Sequence, residues 1–132
     1  KKINLIVEED QNKINIQRTP EIIYGLRNFI GNAVKFSKSK VQINLKSNDK
    51  MIEIEINDDG PGIPEDIINK IGEPYIKSKS KEISSNSGLG LGTFLGKTLL
   101  ERQGAYLKFK RNGKLGGALV VLNWSPSTLI NV

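Results

Sequence analysis

The chain has 132 residues, enough for one domain with its own core, and its 37% hydrophobic and 26% charged content is that of a soluble globular protein. It has no cysteine and no histidine, which excludes disulfides, thiolate and imidazole metal ligands, an imidazole general base and an imidazole phosphate acceptor within these residues. The net charge of +6 attracts anionic ligands in general. However, the aromatics near basic residues, Tyr24, Phe29 and Phe36, share one amphipathic stretch and do not form an interleaved stacking platform, so most lysines read as a solvating shell and nucleic acid is not the expected partner.

No apolar run approaches the roughly 20 residues that cross a bilayer, and no signal-peptide pattern occurs. The chain is therefore expected to stay out of the membrane. It opens at Lys1-Lys2 in a strand-like segment without an initiator methionine, which suggests a piece of a longer protein.

In chain order, Ile3 to Val7 and Ile14 to Gln17 read as short strands around a polar turn at Asp10 to Asn12. Thr19-Pro20-Glu21 is a helix start, a capping hydroxyl followed by Pro at the first helical position. Ile22, Leu26, Phe29, Ile30, Ala33 and Val34 supply its apolar stripe as far as Phe36. Val41 to Leu45 and Met51 to Ile56 alternate as a hairpin around Ser47-Asn48-Asp49. A short helix is expected from Pro64 to about Ile71, then a serine- and lysine-rich loop over 76–87. Gly88 to Gln103 reads as a helix with Leu91, Phe94, Leu95 and Leu99 as core and Gly104 as its stop. Tyr106 to Lys110 and Leu119 to Trp124 form a last hairpin around Asn112-Gly113 and Gly116-Gly117.

The order β-β-α-β-β-α-loop-α-β-β predicts one α/β domain over residues 1–132, a two-layer sandwich with a mixed β-sheet and about three helices on one face. Strict β-α alternation is missing. The glycines match neither G-x-G-x-x-G nor the phosphate loop that ends in Lys-Ser or Lys-Thr.

Three clusters carry chemistry. Asn28, Asn32 and Lys35, at i, i+4 and i+7, fall within a wedge of about 60° on the first helix. Asparagine is a poor mid-helix residue. Two amide carbonyls and a cation suit a Mg2+ ion and its phosphates, or else simply a solvated face. Asp58, at a strand end before Gly60-Pro61-Gly62-Ile63, can accept a hydrogen bond from the exocyclic amine of a base, or form a plain Asp-Gly turn. Gly88-Leu89-Gly90-Leu91-Gly92 enters a helix, whose free N–H groups cradle phosphate unless the glycines serve close packing. Lys77, Lys79 and Lys81 precede it and can close on a triphosphate, although most of them read as solvated.

Together these clusters resemble the ATP-binding catalytic domain of sensor histidine kinases, in the superfamily shared with gyrase, heat-shock chaperone and MutL ATPases. Asn28 to Phe36 matches its N box, Asp58 to Ile63 its first glycine box, Gly88 to Gly92 its second and Gly116-Gly117 its last. Glu73-Pro74-Tyr75 matches the F box in part, with Gly72 where Phe is usual and Ile76 where another aromatic is common. Gly72 to Tyr75 and Lys97 to Arg102 resemble the RegB/PrrB redox-responsive group.

The resemblance implies a Bergerat-type fold. It implies ATP and Mg2+ as ligands, with Asn32 on the metal, and Asn28, Lys35 and Lys77 toward the phosphates. Asp58 would meet the adenine amine between Gly60 and Gly62, Phe36 and Ile63 would line the adenine pocket, and residues 72–87 would form a lid. It implies a cytoplasmic domain of a homodimeric parent kinase anchored in the bacterial inner membrane. That parent would carry a separate dimerisation and histidine phosphotransfer domain and act on a response regulator. Water-splitting members usually carry a Glu general base four residues before the metal-binding Asn. Asn28 stands there and cannot take a proton from water, so transfer is favoured over hydrolysis, and without a histidine the isolated chain is not expected to phosphorylate itself. Two other readings stay open: a regulatory or serine-kinase-type module that binds ATP, and a basic nucleic-acid-binding domain, which would show steep salt dependence and no need for Asp58.

Overall fold

Thr19 opens the first helix as its sequence predicts. Its Oγ1 accepts the Ile22 N–H at 3.2 Å, and Pro20 takes a position that needs no donor. Helix α1 runs Pro20–Phe36. Ile22, Gly25, Phe29 and Ala33 are buried along it, with Leu26, Ile30 and Val34 packed beside them. The helix ends where Ser37 turns extended and its hydroxyl donates to the Val34 carbonyl at 2.8 Å.

The computed structural model describes residues 2–9, 19–47, 51–65, 68 and 91–124. Its strands are β1 (Lys2–Glu9), β2 (Lys40–Ser47), β3 (Ile52–Asp58), β4 (Tyr106–Lys110) and β5 (Leu119–Trp124), and the second helix is α2 (Leu91–Arg102). One sheet runs in the order β1-β2-β3-β5-β4. Strand β1 lies parallel to β2 across the α1 connection, and every other pairing is antiparallel, so the sheet is mixed, as expected.

Period-two alternation sets the faces. Ile43, Ile56, Val120 and Phe109 follow one another across β2, β3, β5 and β4 and pack with the helices. Asp58, two residues after Ile56, therefore belongs to the same inner face, opposite Val41. Gln42, Glu53, Glu55 and Lys108 take the alternate positions. On β1, Ile3 and Leu5 continue the inner face in register with Val41 and Ile43 and are exposed.

Two α-helices occur among the described residues, where the sequence predicts about three. At the third expected helix, 64–71, one turn is present, the Ile68 N–H donating to the Pro64 carbonyl at 3.2 Å; most of the rest lies outside the described residues. The strand expected at Ile14 to Gln17 lies outside them as well. No described helix is long and apolar enough to cross a membrane.

Helix α2 corrects one expectation. Leu95, read as core, is 39% exposed, while Leu100 is fully buried and Thr93 with it. The side chains of Leu91 and Phe94 lie outside the described ones. The face that α2 turns to α1 combines Leu100 with the small residues Thr93 and Gly96, which hydrophobicity alone ranks low. Gly104, at φ +89°, stops the helix as predicted, and the Ala105 N–H returns to the Leu100 carbonyl at 3.0 Å.

Candidate functional site

Asn28 and Asn32 lie in the seam between the two helices, not on a solvated face. Along this seam α1 presents residues 25, 28 and 32 to residues 100, 96 and 93 of α2. A Cβ on Gly25 would overlap the Leu100 side chain, and one on Gly96 would stand 3.3 Å from the Asn28 Cβ. At the end nearest the sheet's acidic residue, Asn32 Nδ2 donates to Thr93 Oγ1 at 3.3 Å.

Residues 58–60 grip three elements at once. Asp58 is 4% exposed, and its Oδ1 accepts the N–H groups of Gly60 (2.9 Å) and Ala118 (3.2 Å). Among the described residues these are the hydrogen bonds its carboxylate takes, so Oδ2 is left to the cleft. Burial raises the Asp58 pKa above the ordinary carboxylate value, while the two N–H groups oppose that shift. Asp59 turns the other way. Its Oδ1 accepts the backbone N–H groups of Lys38 (2.8 Å), Ser39 (3.1 Å) and Lys40 (3.1 Å), and Oδ2 accepts the Ser39 hydroxyl at 2.9 Å. These donors, Ser39 first, hold its carboxyl far below the usual range. Gly60 sits where a Cβ would overlap the carbonyl oxygen of Phe36, the last residue of α1.

The last hairpin closes the other side. The Gly117 N–H donates to the Asp58 carbonyl at 3.0 Å, and a Cβ on Gly117 would overlap both that oxygen and Asp58 Oδ1. Ile63 exchanges bonds with Arg111: its N–H donates to the Arg111 carbonyl at 3.2 Å, and Arg111 Nε donates to the Ile63 carbonyl at 3.1 Å.

Between these parts lies an open cleft of about 540 Å3, a volume that takes in the solvent at its mouth. Asn32, Phe36, Asp58, Gly62 and Ile63 line it, as does Thr93. Its apolar wall also takes Phe29 and Phe109, whose rings meet at 5.8 Å. A single carboxylate at the end of an apolar slot can orient a flat heterocycle by its exocyclic amine.

Of the sequence-derived candidates, Asn32, Phe36, Asp58, Gly62 and Ile63 thus come together around one cleft. Gly60 braces it from behind, and Asn28 stands deeper in the helix seam. Lys35 is exposed in the last turn of α1 and does not line the cleft. Leu91 and Gly92 begin α2. Lys77, Gly88, Leu89 and Gly90, the F-box positions and the proposed lid lie outside the described residues. Asp59, Thr93 and Phe109 escaped the sequence reading. Only Phe109 had a signal there, its place in the alternation of β4.

The amide oxygens fit a hard cation. Asn28 Oδ1 is buried and has no hydrogen-bond partner among the described residues. Asn32 gives its NH2 to Thr93, which leaves the carbonyl oxygen, the ligating end of an amide. Mg2+ takes few protein oxygens and completes its octahedron with phosphate and water.

Known proteins share both the sequence and the fold. Sensor histidine kinase RegB of Cereibacter sphaeroides is 46% identical over 105 residues, covering 76% of this chain and 23% of RegB, so the chain spans about a quarter of that relative's length. The mycobacterial sensor histidine kinase MprB has the same fold, with a TM-score of 0.72 at 22% identity over 93% of this chain and 83% of that one. Full-length ShkA in complex with AMPPNP aligns at a TM-score of 0.67 and 24% identity, over 94% of this chain and 25% of that one. The family model described as histidine kinase-, DNA gyrase B- and HSP90-like ATPase matches residues 18–128, and the chain belongs to that family.

Proposed function

We propose that residues 1–132 are a single Mg·ATP-binding catalytic domain of a two-component sensor histidine kinase, which donates the γ-phosphate to a histidine on another domain of its parent. The observation that carries this reading is the buried Asp58 on the floor of an apolar cleft, with the paired amides of Asn28 and Asn32 beside it. The binding of AMPPNP by ShkA, a chain of the same fold, and the likeness to RegB support it.

In this reading Asp58 Oδ2 accepts from the adenine amine, and Phe36 and Ile63 flank the ring. Asn32 Oδ1 would hold Mg2+, and Asn28 stands toward the phosphates. Lys35 and Lys77 approach the phosphates, and the glycines at 88–92 wrap them at the start of α2, with residues 72–87 as lid. Mg2+, when bound, would supply neutralisation of the phosphate charge. Transfer breaks the bond between the γ-phosphorus and its bridging oxygen and forms a phosphorus–nitrogen bond to the acceptor imidazole. ADP leaves with the bridging oxygen, and the imidazole proton passes to an acid/base neighbour outside this chain. Asn28 offers no base for activating water, which favours transfer over hydrolysis. The parent is a membrane-anchored homodimer that passes the phosphate on to a response regulator.

The test has two arms. Calorimetry is expected to give Mg·ATP binding to the chain, abolished by Asp58→Ala; equal affinity of the two proteins would overturn the adenine assignment. Adding the parent's separately made dimerisation domain is expected to yield acid-labile phosphohistidine on it from labelled ATP. Binding without transfer would favour a purely regulatory ATP-binding module.

A further inference from the structure

We infer that Thr93 is a positioning residue for the metal: it anchors the Asn32 amide by its nitrogen in the helix seam, so that the carbonyl oxygen is left for the cation. The inference rests on the reading of Asn32 as a Mg2+ ligand. The two ends of an amide have opposite polarity, and only the carbonyl oxygen ligates a cation. An Asn32 side chain turned by 180° would present its NH2 protons to the metal and repel it. Thr93 is fully buried in the first turn of α2, lines the same cleft as Asn32, and takes the Asn32 NH2 on its hydroxyl oxygen at 3.3 Å.

The bond joins residues 61 positions apart, one on each helix of the seam. The orientation of the ligating oxygen therefore depends on α2 lying in place against α1. The helix that follows the second glycine cluster thereby acts on the metal through Asn32 without itself touching it. Outer partners that orient metal ligands typically contribute about 10–100-fold in metal affinity.

The test is a Mg2+ titration of ATP binding to the chain and its variants, repeated in EDTA. Thr93→Val keeps the shape and removes the acceptor. It is expected to raise the Mg2+ concentration for half-maximal enhancement about tenfold and to leave the EDTA affinity unchanged, while Thr93→Ser restores the original response. An unchanged Mg2+ response in Thr93→Val, or an equal loss with and without Mg2+, would overturn the positioning role. Asn32→Ala separates the two levels of the argument. If it leaves the Mg2+ response intact, the metal assignment fails and the Thr93 role with it. If it removes the response while Thr93→Val does not, only the Thr93 role fails. Should Thr93→Val not fold, the unaltered chain still decides. The Asn32 side-chain amide protons are expected to exchange with water more slowly than those of a free asparagine amide, and equal exchange rates would overturn the inference.

Discussion

Gly25 on α1 and Leu100 on α2 meet with no space for a Cβ between them. This contact sets how closely the helices approach, and so the separation of Asn32 and Thr93 two turns further along the seam. Gly25→Val is expected to force the helices apart, at the roughly 1–3 kcal/mol typical of overpacking a filled interior. Thermal unfolding should show a lowered Tm, and Mg2+-dependent ATP binding should weaken with it. An unchanged Tm would mean that the seam relaxes freely.

Gly117 stands in the same relation to Asp58. A side chain there would press on both the carboxylate and the carbonyl of Asp58. Gly117→Ala is expected to weaken ATP binding about tenfold or more, the effect of about 1.4 kcal/mol, because it displaces Asp58, the group proposed to read the adenine. Inorganic triphosphate, which has no base, should bind both proteins equally. Parallel losses for the two ligands would place the damage in the fold and not at the adenine.

Asp58 and Asp59 are neighbours with opposite responses to acid. The Asp58 pKa is raised by burial, so its charge disfavours the fold at neutral pH, and that cost is relieved as pH falls through its folded pKa toward the ordinary 3.8. The Asp59 pKa is lowered by its backbone donors, so its contribution is fully present above 3.8 and is lost as pH falls below that value. ATP affinity is therefore expected to fall with acid above pH 3.8, as Asp58 takes up a proton and becomes a weaker, uncharged acceptor for the amine, while circular dichroism still reports a folded chain. Asp59→Asn should unfold with less dependence on pH below 3.8. If affinity stays constant until the fold itself melts, Asp58 is not the titrating group.

Much of this was legible in the sequence. Thr19-Pro20 marked the start of α1, the isoleucines of β3 its inner face, and Gly104 the end of α2. The N box and the first glycine box marked Asn32, Phe36, Asp58 and Ile63, which do meet at one cleft. Other parts were not legible, for physical reasons. Leu95 looked like core because leucine usually is, but α2 docks through Leu100 together with Thr93 and Gly96, and the two small residues leave little hydrophobic signal. The asparagine pair looked equally like a solvated stripe, since no local pattern states that a second helix will cover it. Asp59 gave no sign of its role, because its ligands, three consecutive N–H groups, belong to a turn about 20 residues upstream and carry no side-chain signature.

The partners of Asp58 on the last hairpin lie 60 residues downstream of it. During synthesis, at about 5–20 residues per second, the first helix and the central strands emerge seconds before Gly117 and Ala118. Until then the Asp58 carboxylate lacks the Ala118 N–H that helps to hold it, and β3 lacks the neighbour that completes the sheet. Nucleotide binding can therefore report on whether the last hairpin has been made. A nascent or C-terminally truncated product would carry the N box and both principal glycine boxes and still fail to hold ATP.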